Sequence, residues 1–244
     1  MPSKILVFVS FCFVVVSLTL SAQQRGAQNA PAAEPRPKPA VLIFRETFKG
    51  PTPGRANSTA LKSTDTDNAN VVMTLLGPGA NAKPDHESGL LMNQGDDEAK
   101  PGTNMSFIWS GVTEGNWAVM LKDKNNLLDL TGSAKIRWRQ RPRSFHILRP
   151  LVKLTDGTIY IGDYGEPGST YWRETEFFPS DIPHWRQMNP ETADMMRNAN
   201  WKKEIDLSRV DEIGFTDLSR GAGHGAEGNS AVDWVEVYGQ PVKR

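Results

Sequence analysis

The amino-acid sequence predicts an all-β protein, folded as a single antiparallel β-sandwich with long loops and at most one or two short helices. Many short segments are rich in Val, Ile, Phe, Trp and Tyr, and several alternate apolar with polar residues. Clusters of Gly, Pro, Asn and Asp separate these segments, and almost none of the chain has helical periodicity. Short strands without intervening helices bury their apolar faces by stacking as two sheets.

The first 22 residues have the three-part layout of a secretory signal peptide. Lys4 precedes an apolar run over 5–20, and the small residues Ser21 and Ala22 follow it. The alternative is a single membrane anchor, but the run is near the lower length limit for spanning a bilayer. We therefore expect residues 1–22 to be removed and the mature protein to be secreted or periplasmic, that is, extracytoplasmic.

The rest of the chain divides into a linker and one domain. Residues 23–40 are rich in Ala, Gln and Pro without apolar periodicity, which is typical of a disordered linker. Residues 41–244 are enough for one well-filled core and show no internal repeat. We expect them to form the sandwich domain.

Cysteine content and charge exclude several classes of function. Cys12 is the single cysteine and lies in the predicted leader, so the mature chain has no disulfide, thiolate zinc site or cysteine nucleophile. The formal net charge is +0, which gives the chain no global attraction to nucleic acid or anionic lipid.

The predicted strands follow the apolar segments in order. They cover 41–44, 71–76, 105–109, 117–121, 134–140, 145–154, 158–161, 171–178, 210–215 and 232–238. Alternation is clearest in 134–140, where one face carries Ala134, Ile136 and Trp138 and the other carries Lys135, Arg137 and Arg139. The segment 190–198 is the one predicted helix, because Pro, Glu and Thr at 190–192 suit a first turn.

The last predicted strand follows a glycine-rich loop at 221–228, which is too long for a tight hairpin. Strict alternation puts Val232, Trp234, Glu236 and Tyr238 on one face of this strand. We expect Trp138 and Trp234 to pack into the core.

Four segments together resemble the galactose-binding-like jelly-roll superfamily, which includes many carbohydrate-binding modules. They are FRETF at 44–48, WKKEIDLS at 201–208, VDEIGF at 210–215 and VDWVEVY at 232–238. The resemblance implies a jelly-roll sandwich that binds carbohydrate. In many of those modules, acidic residues on the first and last strands hold a structural Ca²⁺, and the matching positions here are Glu46 and Asp233. Trp234 departs from the pattern, because a second acid or Asn usually stands there.

Aromatic residues supply the first candidate binding surface. The chain has seven Trp and four Tyr, and flat aromatic faces stack on sugar rings. Tyr171, Trp172 and Trp185 lie around the proline-containing loop 179–190 and are predicted to form an exposed platform. The alternative is that most of these rings pack in the core or against loops.

Arginines on one strand form the second candidate binding surface. Arg137 and Arg139 project from the same predicted face, together with Arg141, and guanidinium groups bind carboxylates or sulfates on an acidic glycan. The alternative is a solvated sheet face on which the arginines pair with Asp and Glu.

These features favour a non-catalytic exported module that binds a polysaccharide or glycan, with an anionic glycan as one candidate ligand. One alternative is a glycoside hydrolase or polysaccharide lyase on a similar sandwich, for which His146, Tyr160 and Glu174 are the candidate acid and base groups. Another is a cell-envelope structural or adhesion protein without a small ligand. The sequence favours the non-catalytic function, because its four His lack paired zinc-ligand spacing and no Gly-x-Ser-x-Gly elbow occurs.

Overall fold

A computed structural model describes residues 38–50, 58–81, 89–111, 113, 115–219 and 228–244. The predicted leader, most of the predicted linker and nearly all of the glycine-rich loop lie outside these residues. In chain order the strands are β1 (Val41–Glu46), β2 (Ser58–Ala60), β3 (Val71–Leu76), β4 (Leu91–Asp96), β5 (Asn104–Trp109), β6 (Trp117–Asp123), β7 (Asn126–Asp129), β8 (Lys135–Gln140), β9 (Leu148–Leu154), β10 (Ile159–Gly162), β11 (Arg173–Phe177), β12 (Trp185–Asn189), β13 (Asp194–Met195), β14 (Val210–Asp217) and β15 (Ala231–Lys243). The helical elements of the described chain are two short 3-10 turns, Pro78–Ala80 and Pro179–Asp181. Neither is long and apolar enough to cross a membrane.

The strands form two antiparallel layers. The first sheet has the order β11–β8–β15–β5–β4–β2, with β1 beside the central part of β15. The second has the order β13–β12–β10–β9–β14–β6–β3, with β7 next to the start of β14. The antiparallel β-sandwich predicted from the sequence is confirmed.

Strand β15 belongs to both layers. Its residues 231–239 pair with β5, β8 and β1 in the first sheet. Its residues 240–243 pair with β7 in the second. The strand therefore forms one corner of the sandwich, where the chain passes from one layer to the other.

Large aromatic side chains fill the space between the layers. Trp117, Trp138 and Phe215 are almost completely buried. The Trp117 and Phe215 rings meet edge to face with centroids 6.2 Å apart. Trp138 keeps its polar atom satisfied, because its Nε1–H donates to the Thr175 hydroxyl at 2.8 Å. Each such ring stabilises the fold by roughly 1.5–3 kcal/mol through removal of apolar surface from water.

The alternation predicted for β8 is confirmed. That predicted for β15 holds for Trp234, Glu236 and Tyr238, which share one face, but it is wrong for Val232. Ala134, Ile136 and Trp138 are buried in the core, as expected. In β15 the register shifts between Val232 and Trp234, so Val232 lies in the core and Trp234 lies opposite Arg139 on the outer face of the first sheet. One extra residue in a strand is enough to move the following side chains to the other face.

The helix predicted over 190–198 is also wrong. The Asn189 side-chain oxygen accepts the N–H of Glu191 at 2.9 Å, and Ala193 has a φ of 52°. These features turn the chain back, and Met196 N–H then donates to the Gln187 carbonyl at 2.8 Å. The segment forms β13 instead. The segment 201–208, one of the four that resemble the jelly-roll superfamily, does not form a strand. It contributes a single bridge, in which Lys202 lies opposite Trp185.

Candidate functional site

A groove of about 510 Å³ lies on the outer face of the first sheet. Its floor is formed by the outward residues of β8 and β15, and its walls come from the end of β1 and the β4–β5 hairpin. Its charged residues are four bases, Arg45, Lys100, Arg137 and Arg139, and four acids, Asp97, Glu174, Asp233 and Glu236. The groove is therefore strongly polar and balanced in charge.

Arg139 is the buried centre of this face. It is 7% exposed. Its Nη2 donates to Asp97 at 2.6 Å and its Nη1 to Asp233 at 2.8 Å. The bulge in β15 makes the second contact possible, because it brings Asp233 to the same side of the sheet as Arg139. Arg139 therefore lies on the predicted face, but its guanidinium is held by two carboxylates, as in the alternative of a sheet face on which arginines pair with Asp and Glu. Its role in ligand binding stays a prediction.

The two carboxylates respond differently to this shared partner. The hydrogen bond from Arg139 holds the pKa of Asp97 below its ordinary value of 3.8. Burial raises the pKa of Asp233, because loss of hydration disfavours its charged form more than Arg139 favours it. The ionised form of Asp97 is thus the one that the folded protein stabilises.

This shift predicts a loss of stability in acid. A carboxylate whose pKa is lowered by folding stabilises the native state above its unfolded pKa, and that contribution disappears as the pH falls through the folded value. We expect the melting temperature to fall between about pH 4 and pH 2, and the Asp97→Asn variant to show a shallower fall over that range. Thermal unfolding followed by circular dichroism measures both. Glu98→Gln, one residue further along the hairpin and half exposed, is the control and should follow the wild type.

A second ion-pair cluster lies along the same face around Glu236. This carboxylate accepts from Arg45 at 2.7 Å, from Arg137 at 2.9 Å and from the Tyr238 hydroxyl at 2.9 Å. The two guanidinium groups also cover the ring of Trp234, at 4.7 Å and 5.6 Å from its centroid. Trp234 is 6% exposed as a result, so cation–π contacts rather than ligand stacking occupy its faces.

Arg137 remains accessible within this cluster. About a third of its side chain is exposed, and it also lies 3.6 Å from Glu174, whose side chain is 57% exposed. Arg137 therefore projects outward as predicted, but it is paired with Glu174 and Glu236. Arg45, Lys100, Arg137 and Glu174 are the charged groups of the groove that a ligand can reach.

The predicted calcium ligands lie on opposite faces of the first sheet. Glu46 pairs with Val235, a core residue, and its carboxylate accepts backbone N–H groups from Phe48 at 2.8 Å and Asp67 at 2.7 Å. Asp233 instead bonds to Arg139 on the outer face. Among the described residues no group of three or more His, Cys, Asp or Glu could hold a metal ion. These two carboxylates do not fit a shared Ca²⁺, and calcium binding stays a prediction.

The three predicted platform residues occupy different environments. Trp185 is 2% exposed, because β12 pairs with β10 and directs this ring into the core. Its predicted exposure is wrong. Trp172 is half-buried and packs edge to face on Phe107, with centroids 5.2 Å apart. Tyr171 is 72% exposed and is the one member of the set that is freely accessible.

The structure does not bring the three candidate catalytic residues together. Tyr160 lies on β10 of the second sheet and accepts a hydrogen bond from Lys202 at 2.9 Å. Glu174 lies on β11 of the first sheet and points to solvent. His146 is buried in the loop before β9, where its Nδ1 is hydrogen-bonded to Asp217. We find no acid–base pair among them.

Comparisons with known proteins found similar structures only. The chain matches no protein-family model, and no curated protein matches it. Among solved structures, it is similar to the family 11 carbohydrate-binding module from Clostridium thermocellum in complex with a β-1,3-1,4-mixed-linked tetrasaccharide, with 15% identity, 77% of this chain and 98% of that chain covered, and a TM-score of 0.40. It is also similar to the family 11 module of the cellulosomal cellulase Lic26A-Cel5E of the same organism, at 14% identity, with 75% and 95% covered and a TM-score of 0.40. A structure of carbohydrate-binding modules from the β-sandwich superfamily shares 12% identity, with 68% and 56% covered and a TM-score of 0.28.

These proteins belong to the class of fold that the sequence resemblance implied. With TM-scores of 0.40 and below, these similarities do not indicate which ligand this protein binds or which of its residues bind it. The assignment as a β-sandwich rests on the strand pairing described above.

Proposed function

We propose that the protein is an exported, non-catalytic carbohydrate-binding module that holds a saccharide chain in the groove of the first sheet. The observation that carries the proposal is the composition of that groove, which has a volume of about 510 Å³ and is lined by four basic and four acidic side chains. Sugar hydroxyls both donate and accept hydrogen bonds, so such a surface can satisfy several of them at once. The predicted leader supports the exported, secreted or periplasmic location.

The charge balance favours a neutral saccharide over an acidic one. Four basic and four acidic residues line the groove. Arg137 and Arg139, the predicted partners of an acidic sugar, are both paired with carboxylates of the protein. An anionic ligand would have to compete with those carboxylates, whereas a neutral ligand can use both charged partners of a pair.

The same pairing supports a binding role rather than catalysis. Each acid of the groove has an arginine partner. In the case of Asp97, the hydrogen bond from Arg139 lowers the pKa. A general acid in a glycosidase needs the opposite change, a raised pKa that keeps its proton near neutral pH. Asp233 has a raised pKa through burial, but its carboxylate is bonded to Arg139.

Arg137→Ala provides the test of this site. We expect the variant to bind its saccharide about tenfold or more weakly, because a hydrogen bond to a charged group contributes about 1.5–3 kcal/mol. A glycan array of the mature chain identifies the saccharide, and isothermal titration calorimetry measures the affinity. Lys135→Ala is the matched control, since Lys135 lies two residues away on the same face, pairs with Glu176 and does not line the groove.

Three outcomes are informative. Loss of affinity in Arg137→Ala with an unchanged control supports the groove. Equal affinity in both variants and the wild type would show that the saccharide binds to another surface of the protein. Failure of the wild type to bind any neutral or acidic glycan, or release of reducing or unsaturated ends during incubation, would overturn the non-catalytic carbohydrate-binding function itself.

A further inference from the structure

The arginines on the floor of the groove are satisfied by carboxylates of the protein. Arg137 donates to Glu236 at 2.9 Å, and Arg139 donates to Asp97 at 2.6 Å and to Asp233 at 2.8 Å. A ligand that takes one of these donors or acceptors must share or replace a hydrogen bond that already exists, which reduces the net gain in binding. The floor is therefore costly for a ligand to use.

One wall of the groove carries polar side chains without such partners. This hairpin wall comprises residues 97–106 and contributes Lys100, Asn104 and Ser106 to the lining. Their side chains make no hydrogen bond or ion pair to any residue that the structure describes. Lys100 and Asn104 are exposed, and Ser106 is partly buried. A ligand that binds to these groups displaces water and does not break a contact within the protein.

The hairpin wall brings the three groups to one side of the groove. Lys100 lies in the turn, and Asn104 begins β5 opposite Asp96. Asn104 and Ser106 are two residues apart on this strand, so their side chains leave the same face about 7 Å from each other. The Thr103 N–H donates to the Lys100 carbonyl at 3.1 Å, which folds the turn back towards β5.

The turn of the hairpin wall is fixed in place. Asp97 is 8% exposed, and its carboxylate accepts the Ala99 N–H at 2.9 Å as well as the bond from Arg139. The Asp97 N–H donates to the Thr103 carbonyl at 2.9 Å, and Gly102 takes a φ of 85°, which favours glycine. A turn that is already ordered loses little conformational entropy when a ligand binds, which preserves affinity.

We propose that the hairpin wall makes the principal hydrogen bonds to the saccharide, through the Lys100 ammonium and the Asn104 amide, with the Ser106 hydroxyl beside them. An ammonium group donates up to three hydrogen bonds, whereas a primary amide both donates and accepts. Two hydroxyls that are neighbours on one sugar ring can accept from Lys100 and exchange both kinds of hydrogen bond with Asn104. The inference rests on the proposed function for its ligand class, and it assigns the recognition of adjacent hydroxyls to residues that the test of Arg137 does not touch.

The Lys100→Ala/Asn104→Ala variant tests this assignment. The probes are four neutral tetrasaccharides, of β-1,4-linked glucose, β-1,3-linked glucose, β-1,4-linked mannose and β-1,4-linked xylose, titrated by isothermal calorimetry at neutral pH. We expect the variant to bind the tightest of them at least about tenfold more weakly than the wild type does. Its melting temperature should be unchanged, because both residues are exposed. In the ¹⁵N-labelled wild type, the side-chain NH₂ signals of Asn104 should shift saturably on binding.

Asn200→Ala/Lys203→Ala is the matched control. It removes the same two residue types and the same charge from another segment of the chain. Both residues are exposed, have no side-chain partner among the residues that the structure describes, and do not line the groove. This variant should bind the tetrasaccharides as the wild type does.

The outcomes separate this assignment from the proposed function. Wild-type affinity in Lys100→Ala/Asn104→Ala, or Asn104 signals that do not move at saturation, would overturn the assignment, and the groove would still stand if Arg137→Ala binds weakly. Equal weakening in the control would attribute the loss to net charge and would also overturn it. A wild type that binds none of the four probes would overturn the assignment together with the proposed function.

Discussion

Arg139→Ala is expected to destabilise the protein by about 3–5 kcal/mol. The substitution removes a guanidinium that is 7% exposed and leaves Asp97 and Asp233 facing each other in a largely dry environment. Losing one partner of a buried ion pair is costly because the remaining charge keeps no compensating neighbour. Urea unfolding followed by tryptophan fluorescence measures the change.

Two comparisons make this result specific. Arg137→Ala, on the same strand but one-third exposed, should cost less than about 1 kcal/mol. Arg139→Met combined with Asp97→Asn and Asp233→Asn should recover much of the loss, because no buried charge is left unpaired. If Arg139→Ala unfolds at the same urea concentration as the wild type, the guanidinium is not the buried centre of this face.

Glu46→Ala is expected to cost about 3 kcal/mol or more. The carboxylate is fully buried and accepts three backbone N–H groups, from Phe48, Asp67 and Asn68. Burial raises its pKa, with these hydrogen bonds acting in the opposite direction. Alanine would leave three donors without an acceptor, and each buried donor left unpaired costs about 1–3 kcal/mol.

Glu46→Gln separates hydrogen bonding from charge. Its side-chain oxygen can still accept the two shorter bonds, so we expect a smaller loss than for alanine. Differential scanning calorimetry of the three proteins gives the order wild type, Gln, Ala. A fall in the wild-type melting temperature on addition of a chelator would contradict this account of Glu46 and favour the calcium site that the resemblance implies.

The fold and the face of β8 were predictable because their signals are local. Apolar and charged residues alternate over 134–140 with the period of a strand, and the structure follows that period. Strands β4 (LMNQGD) and β12 (WRQMN) were missed, since their sequences mix polar residues and Gly with few β-formers. They form because β5 and β10 supply a paired neighbour.

The candidate site was harder to predict, because its geometry depends on distant pairing. The two acids that hold Arg139 lie 42 and 94 residues away in the chain. The bulge that brings Asp233 to the outer face has no signature in VDWVEVY, which alternates as a regular strand would. Sequence patterns place side chains on faces, but they do not identify their partners across a sheet.

The position of β15 has a consequence for how the protein acquires its structure during synthesis. This last strand lies between β8 and the pair β1 and β5, so the first sheet has no centre until residues 231–243 have left the ribosome. Val41 pairs with Gly239, close to opposite ends of the domain. Contacts so far apart in sequence form slowly. The nascent domain therefore stays incompletely folded until residues 231–243 are free to join it, and the formation of the first sheet waits for this late, long-range pairing.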